Sequence, residues 1–173
     1  MPTLRAKIVP HLWYTTQAVE AAKFYVSLFP NSHIDHVTSV PSDTPSGPAG
    51  SVEVVEFTLC GQPFMAMSAG EMDPFNHAIS FIVNCEDQAE IDRFWEALGA
   101  GGTIEMCGWL KDRYGVSWQI VPTQLPKLLG DRDTAKARRV MQAMLQMDKL
   151  DIAGLEAAHA GRLRNLTTTG EPQ

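Results

Sequence analysis

Cysteine is scarce in this chain: there are 3 among 173 residues. They stand at positions 60, 85 and 107. An odd count, wide spacing and no CxxC pair argue against a disulfide framework or a zinc knuckle. Basic residues are also in deficit. Fourteen Lys and Arg stand against 20 Asp and Glu, a net charge of −6. Such a chain repels phosphate backbones, so no nucleic-acid partner is expected. No stretch approaches the ~18 apolar residues of a membrane span. The first ten residues lack an apolar signal core. The expected location is therefore cytoplasmic, with no membrane partner.

What is present is an ordinary globular composition, 45% hydrophobic and 20% charged, in a chain long enough for one domain with a real core. Leu4 to Tyr14 alternates as a strand does, and Thr15 and Thr16 offer N-caps for a helix over Ala18 to Phe29. His33 to Val40 reads as a strand, and the proline-rich stretch Pro41 to Gly50 as a loop. Val52 to Cys60 and Pro63 to Ser68 form a hairpin about a Gly61-Gln62 turn. The pattern then restarts. His77 to Asn84 reads as a strand, and Asp87 to Leu98 as a helix with Ile91, Phe94, Trp95 and Leu98 on one face. Gly99 to Gly102 stops that helix. Thr103 to Cys107 is a strand, and Trp109 to Val121 carries two more about a turn at Asp112 to Gly115. The order is βαβββ twice. Helices follow over Thr123 to Gly130, Asp131 to Met147 (capped by Asp131 or Asp133) and Asp151 to Ala160. The long one bears a stripe of Ala135, Val140, Ala143, Met144 and Met147.

The segments "VPHLWY", "AAKFYVSLFP", "HAISFIV", "DRYGVSWQIVP" and "ARRVMQAMLQMDKLDIAGLEAA" resemble the PhnB-like branch of the vicinal-oxygen-chelate (glyoxalase/bleomycin-resistance) superfamily. Its members often carry a 3-demethylubiquinone methyltransferase label. The likeness covers roughly residues 5 to 160, and Asp112-x-x-Gly115-x-x-Trp118-Gln119 is its most specific piece. It implies an α+β fold: two βαβββ modules form curved mixed sheets around a cleft, with a C-terminal helical extension. The expected organisation is one domain over 1–162, with module one at 4–69, module two at 76–122 and the helical tail at 123–162. Residues 163–173 are expected to be a loose end. The methyltransferase label is not read literally. A strand followed by a glycine-rich turn that opens a helix is missing; the glycines at 47–50 and 99–102 follow a loop and a helix.

The resemblance further places metal ligands at His11, His77 and Gln119, with Met65 or Met67 at a fourth position. Gln stands where many relatives have Glu. It offers a carbonyl oxygen without charge, so the set is a weakened two-His-one-carboxylate triad. The cofactor stays open between none and one divalent ion (Zn, Mn, Fe or Ni). The implied function is binding of a small molecule. It is either a metal-assisted lyase, isomerase or oxygenase acting on neighbouring oxygens, or a non-catalytic sequestering protein of the resistance type. The sequence does not decide whether it is an enzyme, and no catalytic residue is assigned.

Ligand contacts are expected from Trp13, Met65, Met67, Cys107 and Trp109. Alternation puts Trp13 on the face of His11 and turns Tyr14 away. By the same rule Ser117 and Gln119 share a face while Trp118 points to the helix side, as core. Cys107 has two readings, a reactive thiol in a flexible loop or a small semi-buried hydrophobe. Glu105 is the best lone carboxylate for acid–base work, against a solvated strand residue. Met141, Met144, Leu145 and Met147 either pack on the sheet or serve a dimer. A homodimer to which the tail contributes is expected.

Overall fold

The computed structural model describes residues 6–71 and 73–162. It divides into two compact units, Met1–Pro74 and Phe75–Gln173, built on one plan. The expected loose end at 163–173 lies outside the described residues.

The first unit runs β1 (His11–Tyr14), α1 (Ala18–Leu28), β2 (His33–Ser39), β3 (Glu53–Leu59) and β4 (Gln62–Ser68). The sheet order is β1-β4-β3-β2, with β1 parallel to β4 and the other pairs antiparallel. Strand alternation sends Leu12, Tyr14, Val55, Phe57, Phe64 and Ala66 to a buried face. There α1 lays its buried Ala18, Ala21, Ala22 and Tyr25. The alanines let the helix approach closely, and the Tyr14 and Tyr25 hydroxyls share a hydrogen bond of 3.3 Å.

Three local expectations change in this unit. The first strand begins only at His11, after Pro10, whose carbonyl accepts from the Met65 N–H. Neither Thr15 nor Thr16 caps α1; Gln17 holds the cap position without a side-chain bond. The first helical amide, Ala18 N–H, instead donates to Ser68 Oγ on β4 at 3.3 Å. The hairpin turn is Cys60-Gly61 rather than Gly61-Gln62. Both residues take positive φ, 49° and 81°, and Leu59 pairs with Gln62. That is the type I′ geometry whose twist matches the strands.

The second unit runs β5 (Phe81–Cys85), α2 (Gln88–Gly99), β6 (Thr103–Ile104), β7 (Trp109–Lys111) and β8 (Ser117–Pro122). The helices α3 (Leu125–Leu129), α4 (Thr134–Met144) and α5 (Ile152–His159) follow. The order β5-β8-β7-β6 repeats that of the first sheet. α2 buries Ile91, Phe94, Trp95 and Leu98, and Val83, Leu110, Trp118 and Ile120 are buried with them. Asp87 caps the helix by accepting from Glu90 N–H. Its C-cap is Ala100, not a glycine. Gly102 is needed for a different reason: a Cβ there would stand 2.0 Å from the Lys111 carbonyl oxygen of β7.

The Asp112-x-x-Gly115-x-x-Trp118 run is a brace between β7 and β8. Asp112 is buried, 3% exposed. Its Oδ1 accepts from Tyr114 N–H at 2.8 Å and Val116 N–H at 3.0 Å. Its Oδ2 accepts from Trp118 Nε1–H at 2.8 Å. Gly115 supplies φ of 88° at the turn. Trp118 is core, as alternation required.

In the tail, Leu125, Val140, Leu150 and Leu155 form a second core, with Val121, Met144 and Met147 packed against it. Asp133, of the two candidates, caps α4. Ala135 leaves the expected stripe and is exposed. Met141 and Leu145 are exposed as well, 40% and 46%. Among the described residues, no helix is long and apolar enough to cross a membrane.

Candidate functional site

Each sheet has one face covered by its helix and one open face. Of the predicted residues, His11, Trp13, Met65, Met67, Trp109 and Gln119 fall on the open faces. In the first unit, register aligns His11 with Met65 and Trp13 with Met67. It also aligns Met65 with Glu56 and Met67 with Val54. Two rows result, His11–Met65–Glu56 and Trp13–Met67–Val54. The His11 and Trp13 rings meet edge-on, 5.7 Å apart. His11 is partly exposed, yet desolvation by the surrounding protein lowers its pKa below the ordinary 6.5. The neutral ring, a hydrogen-bond donor and acceptor, is favoured.

In the second unit, Gln119 pairs with Ile82 of β5 and Trp109 of β7. Glu105 N–H donates to the Trp109 carbonyl, which extends the row. His77 was expected to open a strand, but it lies in a turn before β5. The Asn76 carboxamide accepts from Ala78 N–H at 2.8 Å, an Asx turn that bends the chain there. His77 nevertheless reaches the row. Its Nε2 stands 3.3 Å from Glu105 Oε1, and its ring centre lies 5.9 Å from that of Trp109. Gln119 Nε2 donates to Ser80 Oγ at 2.9 Å, which directs the amide and leaves Oε1 as an acceptor. His77, Glu105, Trp109, Gln119 and Ser80 thus form one cluster.

Sequence reasoning weighed Glu105 alone and did not consider Ser80. No spacing rule would have paired Glu105 with His77, because the pairing depends on the Asx turn. Cys107 is not in a free loop. Its N–H donates to the Met147 carbonyl at 2.6 Å, and Gly108 N–H donates to Asp148. Both residues hold positive φ, 62° and 81°. This turn also ends β6 at Ile104, short of the expected Cys107.

The proposed metal donors divide between the units: His11 in the first, His77 and Gln119 in the second. Among the described residues, no three His, Cys, Asp or Glu side chains are grouped so as to hold a metal ion. Within the second unit, His77 Nε2 already faces a carboxylate, and Gln119 adds no charge.

Residues 6–121 match the family model described as 3-demethylubiquinone-9 3-methyltransferase. A solved structure from Bacillus cereus, described as a putative 3-demethylubiquinone-9 3-methyltransferase and PhnB protein, is 34% identical with a TM-score of 0.61. The match covers 68% of this chain and 100% of that one. A protein from Pseudomonas aeruginosa is 22% identical over 68% of this chain and 97% of that one, with a TM-score of 0.52. The fosfomycin resistance protein FosX from Listeria monocytogenes is 11% identical over 75% of this chain and 100% of that one, with a TM-score of 0.52, and shares the fold alone. No curated protein matches the chain.

Proposed function

Because the chain belongs to the 3-demethylubiquinone-9 3-methyltransferase (PhnB-like) family, within the vicinal-oxygen-chelate superfamily, we propose that it binds a small organic molecule bearing neighbouring oxygens on the open face of its second sheet. The observation that carries this reading is the His77–Glu105–Trp109–Gln119 cluster. His77 presents its ring beside the Glu105 carboxylate, Nε2 to Oε1 3.3 Å. Gln119 Oε1 accepts a hydroxyl proton, and the Trp109 ring offers an apolar wall. The open face of the first sheet carries Trp13, Met65 and Met67 beside His11 and Glu56.

The Cys107 backbone is committed to holding residues 147–148, and its half-buried thiol stays among the proposed ligand contacts. The methyl-transfer name is not taken as this chain's activity. The glycines at 47–50 lie in the β2–β3 loop, and those at 99–102 end and follow α2; neither group opens a helix after a strand. Binding without turnover is the second reading. It is favoured by the uncharged Gln119, which weakens any Lewis-acid chemistry. Homodimerisation is part of the proposal, because Ile79, Ile82, Ile104 and Met106 are 46–74% exposed, and large apolar groups left open in this way mark a contact surface. A cytoplasmic setting goes with three free thiols.

Calorimetric titration with α-hydroxy acids, α-keto acids and catechols tests the reading, using the wild type, His77→Ala and Gln119→Leu. At least one class is expected to bind, with each variant weakening it about tenfold, as loss of one or two hydrogen bonds does. Unchanged affinity in both variants would place the site elsewhere.

A further inference from the structure

The helical tail contains a cavity of about 460 Å³ between α4 and α5, within the range of small-ligand sites. No strand contributes to it. Its walls are mostly apolar because α5 presents only small residues there, Gly154, Ala157 and Ala158, opposite Ala143 and Met147; Gln142 and Gln146 also line it. A Cβ on Gly154 would stand 2.9 Å from Met147 Cε, so the glycine keeps the space open. From Gly154 to His159, the last residue of α5, the helix rises about 7.5 Å, and Gly161 lies beyond it.

The two ends differ in charge. Asp151 lines one end, and its carboxylate is spent on capping α5 through Ala153 N–H. Arg139 and Arg162 line the other. Arg139 donates through Nε to the Ala158 carbonyl at 2.9 Å and through Nη2 to the His159 carbonyl at 2.8 Å. These bonds fix its guanidinium beside Gly161, whose added Cβ would lie 3.7 Å from Nη2. The Arg162 guanidinium has no hydrogen-bond or ion-pair partner among the described residues. An apolar slot thus ends at two cations, one held rigidly and one able to turn to a ligand.

From this we infer that the α4–α5 cavity binds a free anionic amphiphile, a carboxylate with an unbranched medium-length aliphatic tail. The tail lies along Ala143, Met147, Gly154 and Ala157. The carboxylate meets Arg162 and the positive field of Arg139, as charge-assisted hydrogen bonding to guanidinium favours. The site is independent of the sheet-face cluster.

Calorimetry of the full chain with decanoate, and with decan-1-ol as its uncharged counterpart, tests this. Decanoate is expected to bind one per chain, about tenfold tighter than the alcohol. Arg162→Gln, an exposed change that should leave folding intact, is expected to erase that tenfold preference while sparing the alcohol. Ala157→Trp, which fills the slot, is expected to abolish both. Absence of saturable decanoate binding would overturn the inference, as would equal affinity of wild type and Arg162→Gln. Conversion of a dimer to a monomer by Ala157→Trp would assign the slot to a second copy of the chain and overturn it too.

Discussion

Replacing Asp112 tests whether the most specific motif of the sequence is a structural brace. The carboxylate is almost fully buried and accepts three hydrogen bonds, two from backbone amides and one from the Trp118 indole. Asp112→Ala removes all three, leaving the buried Val116 N–H and Trp118 Nε1–H without acceptors. Each unsatisfied buried donor costs about 1–3 kcal/mol, so the loss for the two comes to roughly 2–6 kcal/mol. A domain is stable by about 5–15 kcal/mol in all, so the variant should sit near the edge of folding. Its melting temperature should fall by roughly 10 °C. Asp112→Asn keeps an oxygen for Tyr114 and Val116 but turns an amide donor against Nε1–H. It should cost only about 1–3 kcal/mol. Adding Trp118→Phe to the Asn variant removes the opposed donor, so the pair should cost less than the sum of the two single changes. Urea denaturation measures the wild type and the four variants, Trp118→Phe alone included. An Ala variant within about 1 kcal/mol of wild type would refute the reasoning, as would Asn and Ala variants of equal cost.

Other consequences follow from groups away from this brace. His11 should titrate below 6.5 by NMR, because desolvation disfavours its charged form. Between the folded pKa and 6.5 the unfolded chain binds more protons, so this group makes stability fall as pH drops through that window and adds nothing above it. His11→Gln should flatten that part of the acid profile, and an unaltered profile would remove His11 as its source. Burial, reinforced by nearby Glu90, pushes the Cys85 thiol up to about 12. Iodoacetamide at neutral pH should therefore modify exposed Cys60 and leave Cys85 intact in mass spectrometry of the folded protein. Gly102→Ala should cost about 3 kcal/mol by overlapping β7 backbone. Gly50→Ala, in open space but at φ of 81°, should cost about 1 kcal/mol; equal costs would show that the overlap relaxes freely.

The repeated βαβββ order was legible because periodicity carries it. Alternation in Val55, Phe57 and Leu59, and helical spacing in Ile91, Phe94, Trp95 and Leu98, each commit one face to burial. The face assignments of Trp13 and Trp118 followed from the same period of two. Turn chemistry was less legible. Glycine was expected to end α2 and to lead the hairpin turn, but Ala100 ends the helix and Cys60 shares the turn with Gly61 in the left-handed region. Long-range caps were invisible: nothing local shows that Ser68 caps Ala18. The candidate cluster depended most on such features. Alternation along His77, Ile79 and Phe81 reads as strand, and the Asn76 side chain overrides it by bending 76–79 into a turn. That bend is what carries His77 to Glu105.

The most direct test of the central claim uses the four tryptophan indoles as reporters in a ¹⁵N-labelled protein. Trp95, on the buried face of α2, and Trp118, in the core on β8, serve as internal references. Trp109 stands in the cluster with His77. On titration with small molecules bearing neighbouring oxygens, the account predicts a saturable shift of the Trp109 Nε1–H resonance. The Trp95 and Trp118 signals should stay fixed, and His77→Ala should move the Trp109 titration to about tenfold higher ligand concentration. A Trp109 resonance that stays fixed while a ligand demonstrably binds, or that titrates at an unchanged concentration in the His77 variant, would contradict it.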